Sequence, residues 1–170
     1  MSGGLLRRLY KMSVDTLISL VERHRWYKNA FRTNTDTDPT HHQIGRRGRR
    51  WLAYPWAPYS NTVRTGPILE CVQQMLPGVN AVCLNRKRAD EPPMSKHKDS
   101  RNSGPSWVCF WGDYEGGGDL CLEDGTVYSG KHVWHGPMNG AELAHWVSPH
   151  TSGTRYSAVA FSGPPAPKTR

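Results

Sequence analysis

The chain has 170 residues, the size of one domain, so a second large domain is excluded. Lys and Arg number 22 against 14 Asp and Glu, a net charge of +8 that favours a polyanionic partner or an anionic substrate. With 17 Gly and 13 Pro the composition does not suit a helical bundle and points to short strands joined by loops.

The first residues, MSGGLLRRLYKMS, carry arginines where a signal peptide needs an apolar stretch. No apolar run approaches the ~18 residues of a membrane span, so a soluble, intracellular protein without membrane contact is expected. Ser13 suits an N-cap, and Val14, Leu17, Ile18 and Val21 follow at helical spacing, predicting a helix with one face on a sheet. Residues 33–64 carry little periodicity. Within them Gly45-Arg46-Arg47-Gly48-Arg49-Arg50 places four arginines in six residues, before Trp51, Tyr54, Trp56 and Tyr59. This stretch reads either as a basic, aromatic surface for a nucleic-acid strand or as solvated charge beside aromatics that cover the core. The arginine run also suits nuclear import, in a eukaryote. Thr65-Gly66-Pro67 opens a second helix, Ile68, Cys71, Val72, Met75 and Leu76 form its apolar stripe, and Pro77-Gly78 ends it.

From residue 80 the pattern changes to strands: Ala81–Asn85, Trp107–Trp111, Asp119–Leu122, Val127–His132, Leu143–Val147 and Arg155–Phe161. Turn signals separate them at Asn102 to Pro105, Glu115 to Gly118, Asp124-Gly125, Gly136 to Gly140 and Thr151 to Gly153. The pattern predicts a mainly β, α+β domain, a jelly-roll or small barrel with flanking helices. The four cysteines, Cys71, Cys83, Cys109 and Cys121, include no CxxC pair, so they read as free thiols in a reducing compartment rather than a zinc site.

His97 and Asp99 are two residues apart, on one face of an extended segment, and His145 ends an apolar run. Two imidazoles and a carboxylate can hold one face of a non-haem Fe(II) ion and leave positions open. The alternatives are a loop ion pair and a core histidine. Arg155 stands ten residues after His145, with a turn at Gly153 between them. An antiparallel return would bring Arg155 to the same cavity, with Ser157 on its face. A buried guanidinium needs an anion, and its fork matches a carboxylate.

HxD at His97–Asp99, HxVxP at His145–Pro149 and GxRxS at Gly153–Ser157 come in an order that resembles the Fe(II)/2-oxoglutarate-dependent dioxygenase superfamily, over roughly residues 80–162. The resemblance implies a double-stranded β-helix (jelly-roll, cupin-like) fold. It implies Fe(II) on His97, Asp99 and His145 as the catalytic centre, dioxygen, and 2-oxoglutarate as cosubstrate on Arg155 and Ser157. A second cosubstrate contact is expected among Asn85, Arg86 and Arg88, with Arg86 preferred. Residues 1–162 would form one dioxygenase domain, 1–79 as helical and loop support and 80–162 as the β-helix core, with 163–170 a disordered tail.

His97-Lys98-Asp99-Ser100-Arg101-Asn102, Gly112-Asp113-Tyr114 and Gly153-Thr154-Arg155-Tyr156-Ser157 further resemble the TET/JBP branch, which oxidises the 5-methyl group of pyrimidines in DNA. That resemblance implies base contacts from Asn102 and Phe161 in methylated DNA, most simply 5-methylcytosine, with RNA left open. Gly163 stands where 5-methylcytosine members carry a base-bonding His, which leaves the base open, and the Cys-rich zinc region of the animal enzymes is absent. Trp134 and His135 are expected at the pocket mouth, or else in strand-end packing. His41, His42, His132 and His150 have no ligand spacing, and His150 is expected to be exposed. A monomer is assumed. A prolyl or other protein hydroxylase of the same superfamily, and a non-catalytic nucleic-acid-binding module, are the alternatives.

Overall fold

The computed structural model describes residues 14–23, 66–91, 93–100 and 102–163, and the backbone of 27–28, 42–44 and 62–63. Ser13, the arginine run at 45–50, the aromatics at 51–59 and the tail from 164 lie outside the described residues.

Helix α1 covers residues 14–22 and buries Val14, Leu17 and Val21, the stripe that the spacing predicts. Helix α2 is Pro67–Met75; Pro67 sits in its first turn, where a missing N–H costs nothing, and Ile68, Leu69, Cys71 and Val72 are buried. Both helices pack on one face of a large antiparallel sheet. Its strands are β1 Tyr27–Lys28, β2 His42–Ile44, β3 Thr62–Val63, β4 Ala81–Arg88, β5 Ser106–Gly112, β8 Trp134–Met138 and β10 Thr154–Phe161. The order is β1-β2-β4-β10-β5-β8, with β3 also on β4. A small antiparallel sheet, β7-β6-β9, is built from β6 Leu120–Leu122, β7 Val127–Tyr128 and β9 His145–Val147. The described residues are therefore mainly β with two helices, and the passage of the chain between the sheets after β5 is compatible with a jelly-roll. Among the described residues no helix is long and apolar enough to cross a membrane.

Period-two alternation sorts the central strands between two cores. Val82, Leu84, Cys109, Trp111, Ala158 and Ala160 face the helices. Val108 and Phe110 face the small sheet, where they meet Tyr114, Leu120, Leu122, Met138 and Val147. Alanine at 158 and 160 leaves room for the helices over the central strand. None of the four cysteines is in a disulfide; burial pushes the Cys109 thiol up to about 12, which makes it an inert core group.

Two strand expectations are corrected. Val127–His132 ends as a strand at Tyr128, because Gly130 and His132 both take left-handed backbone conformations. Gly136 and Pro137, read as turn residues, lie inside β8, the outer strand of the large sheet. An edge strand tolerates proline because its outward side has no partner to serve.

Gly116, Gly117 and Gly118 all have positive φ; the first two form a strap under residues 149–151, and Gly118 lies against the Tyr114 ring and the Arg155 side chain. A Cβ on Gly117 would fall on the Pro149 carbonyl oxygen, at φ +125°. Gly117→Ala is therefore expected to cost ~2 kcal/mol or more. A thermal melt should show a fall in Tm of ~5 °C.

Candidate metal centre and anion site

His97 and His145 form an antiparallel bridge and exchange both backbone hydrogen bonds, at 3.0 and 2.9 Å. That pairing sets the two imidazoles on the same side, with ring centroids 4.5 Å apart. Asp99 follows two residues on, anchored by its N–H to the Gly140 carbonyl at 2.7 Å. Its carboxylate lies 3.7 Å from His97 Nε2 and 3.4 Å from His145 Nε2. One ligand atom from each of the three lies within 4.8 Å of the others.

The outer contacts fix the tautomers. His97 Nδ1 pairs with the Ser95 carbonyl at 2.7 Å, and His145 Nδ1 with the Leu143 carbonyl at 3.0 Å. A carbonyl only accepts, so each Nδ1 carries the proton. In the neutral rings the lone pairs then sit on Nε2, the atoms aimed at Asp99. Metal-binding histidines are oriented in this way. Two such nitrogens and a carboxylate suit a divalent transition metal, Fe(II) among them, with further positions open.

Gly140 is a part of this centre that the sequence did not announce. A Cβ there would stand 3.3 Å from His145 Cε1 and 3.5 Å from Asp99 Oδ2. Gly140→Ala is expected to push the His145 ring by a few tenths of an ångström and to leave Asp99 in ordinary contact. A loss of ~10-fold in metal affinity should follow, comparable to losing an outer contact, and a metal titration alongside a thermal melt checks it.

The triad opens on a cavity between the two sheets. It is lined from the large sheet by Asn85, Val108, Arg155, Ser157 and Val159 and from the small sheet by Leu120 and Val147, with Met94 and Met138. Arg155 is 5% exposed. Its Nε donates to the Gly118 carbonyl at 2.7 Å, and the guanidinium lies 4.7 Å from the Phe110 ring and 5.9 Å from that of Tyr114. Among the described residues no carboxylate comes within salt-bridge reach of it. Burial pushes its pKa down to about 10, with Tyr114 and Asp119 opposing the shift. The group stays cationic at neutral pH, and it faces a cavity shared with the candidate metal ligands. Lys87, its register partner on β4, is also buried but donates Nζ to the Glu91 carbonyl at 2.7 Å.

The remaining expected site residues are placed as follows. Ser157 lines the cavity two residues from Arg155. Arg86 does not line it: it pairs with Tyr156, on the helix-facing side of the sheet, and Asn85 takes the inward position opposite Ser157. Because Val82 and Leu84 face the helices, continued alternation also carries Arg86 there. The signal was present in the sequence once the strand is extended to Arg88. Phe161 is on the Arg155 face of β10, buried, two residues beyond Val159 and outside the cavity lining. Asn102 sits in the turn after Asp99; its N–H bonds the Asp99 carbonyl at 2.9 Å and its Nδ2 donates to Ser106 Oγ at 3.2 Å.

Trp134 packs against the helix-side core, with Nε1 3.3 Å from Met75 Sδ, and does not line the cavity of the candidate metal centre. His135 stacks on Phe110 at 4.8 Å, behind the ring that Arg155 covers, and its Nε2 meets the Gly130 carbonyl at 2.9 Å. His150, expected to be exposed, is buried edge-on to Tyr114. Burial, with Lys87 and Arg155 nearby, pushes its pKa down. The turn that carries it folds inward over the glycine strap.

No family model and no curated protein matches the sequence. Among solved structures the chain has a weak likeness to one described as NgTET1 in complex with 5mC DNA, at 24% identity and a TM-score of 0.41. The match covers 54% of this chain and 36% of that one, so the chain spans little more than a third of the length of the structure it resembles.

Proposed function

We propose that the chain is an Fe(II)/2-oxoglutarate-dependent dioxygenase that hydroxylates the 5-methyl group of a flipped pyrimidine in DNA, 5-methylcytosine to 5-hydroxymethylcytosine. The observation that carries the class is a buried Arg155 with no carboxylate partner among the described residues, lining the same cavity as His97, Asp99 and His145. A cation at one place and three metal ligands at another suit a substrate that is both an acid and a chelator. 2-Oxoglutarate has a chelating keto acid at one end and a second carboxylate at the other.

His97, Asp99 and His145 would hold Fe(II), which when bound supplies the activation of dioxygen that couples the two oxidations. The balance is 2-oxoglutarate, dioxygen and a methyl group in, and succinate, carbon dioxide and a hydroxymethyl group out. Arg155 would grip the far carboxylate by its Nη1 and Nη2 groups, since Nε is already committed to Gly118. Ser157 would donate to the same carboxylate. Val108, Leu120, Val147 and Val159 keep water away from the acid, which strengthens both contacts. The proteinʼs part is to position and to enclose.

The DNA substrate rests on the +8 charge and on the resemblance to the TET/JBP branch over the His97–Asn102 and Gly153–Ser157 segments. A methyl group stacked in a duplex has to be flipped out, at a few kcal/mol, and phosphate contacts from basic residues can offset that cost. With its Nδ2 engaged by Ser106, Asn102 would turn its carbonyl oxygen to the amino group of cytosine. The test is nucleoside mass spectrometry after incubation with methylated DNA, Fe(II), ascorbate and 2-oxoglutarate. A 5-hydroxymethyl product is expected. Succinate without that product would overturn the substrate and turn attention to peptides. Absence of both would overturn the class.

A further inference from the structure

Asn85 is 6% exposed, lines the cavity and is the register partner of Ser157. Its Nδ2 donates to Ser157 Oγ at 3.5 Å, the long end of hydrogen-bond range, and its Oδ1 accepts from Cys83 Sγ at 3.9 Å. A serine hydroxyl has one proton and can point it either way. A carboxylate held by Arg155 only accepts, so Ser157 must give its proton to that acid. Its oxygen can then receive only a donor from behind, and the amide of Asn85 offers one. We infer that Asn85 is a positioning residue that polarises Ser157 toward the cavity and thereby sets the site for a carboxylate; this rests on the reading of Arg155 and Ser157 as the clamp for 2-oxoglutarate.

An aspartate at the same position reverses the arrangement. It would accept the Ser157 proton, remove one donor from the incoming acid and place a negative charge behind it. Asn85→Asp is expected to weaken 2-oxoglutarate binding ~10- to 100-fold, the scale of a lost hydrogen bond to a charged group. Asn85→Ala should cost only ~3-fold, and nothing when Ser157 is already alanine, because the two act through one bond. The experiment is calorimetric titration of 2-oxoglutarate into Mn(II)-loaded protein without oxygen, so the readout is equilibrium binding, with Mn(II) affinity measured in parallel. Metal affinity should not change.

Equal 2-oxoglutarate affinity in the wild-type chain and Asn85→Asp would overturn the inference while leaving the class intact. Failure of the wild-type chain itself to bind 2-oxoglutarate would instead remove the reading on which the inference stands. Should Asn85→Asp not fold, the alanine cycle decides: a cost for Asn85→Ala that persists undiminished in the Ser157→Ala background overturns the role.

Discussion

Replacing Asp99 with alanine is expected to end succinate release and to weaken metal binding by more than ~100-fold, while the protein still folds. Outer-shell contacts to a metal ligand are worth 10- to 100-fold in affinity, and removing a ligand itself exceeds that. The carboxylate lies 3.7 and 3.4 Å from the two Nε2 atoms, and among the described residues no other carboxylate stands with both histidines. Its structural anchoring is separate: Asp99 N–H holds the Gly140 carbonyl, and its own carbonyl accepts from Asn102 N–H, and alanine keeps both. The side chain is also the most open of the three, at 22% against 6% for His97 and 5% for His145. Metal titration, a succinate assay and a thermal melt on one preparation separate these effects. A non-catalytic nucleic-acid-binding module would keep its DNA affinity and show no succinate in either form. An Asp99→Ala protein that still released succinate at the wild-type rate would sink the assignment of this residue as a ligand.

What could be read from the sequence followed from what short-range patterns determine. The α1 stripe and the α2 bounds are set by local spacing and by Pro67, and the structure has both where the pattern puts them. The HxD pair set the two candidate ligands His97 and Asp99 on one face of an extended segment through alternation alone. Its junction with His145 needed a pairing between segments 48 residues apart, which sequence spacing cannot supply and only the ordered motifs suggested. The failures have one form. Pro137 and Gly136 carry a local turn preference that an edge position in the large sheet overrides. Arg86 and Asn85 differ by one residue, and one residue decides which face of a strand a side chain takes. Gly140 is an ordinary glycine until the His145 ring and the Asp99 carboxylate are seen beside it. His150 is polar and in a turn, yet the glycine strap lets that turn fold inward.

Arg155→Met is expected to lose 2-oxoglutarate binding and gain stability, two changes of opposite sign from one substitution. The loss follows from the fork. A charge-assisted, two-pronged contact in a dry cavity is worth ~2–4 kcal/mol, so affinity should fall ~30- to 1,000-fold. The gain follows from burial. The guanidinium is pushed down from its ordinary value to about 10, so folding disfavours its charged form throughout the range below that pH. That displacement corresponds to a cost on the order of 3 kcal/mol, fully present at neutral pH. Methionine gives up the 2.7 Å bond to the Gly118 carbonyl and the stacking on Phe110 at 4.7 Å, which offset ~1–2 kcal/mol of it. Its thioether can pack on the same two rings, Phe110 and Tyr114. The balance favours the variant by ~1 kcal/mol, a rise in Tm of ~2–4 °C. Arg155→Lys should fall between, because the charge remains but neither the fork nor the Nε contact does. Isothermal titration with 2-oxoglutarate and thermal melts across the three proteins measure both quantities. If the methionine protein melted well below wild type and bound the acid equally well, Arg155 would be a structural cation, held for its carbonyl and ring contacts, and some other group would have to hold the acid.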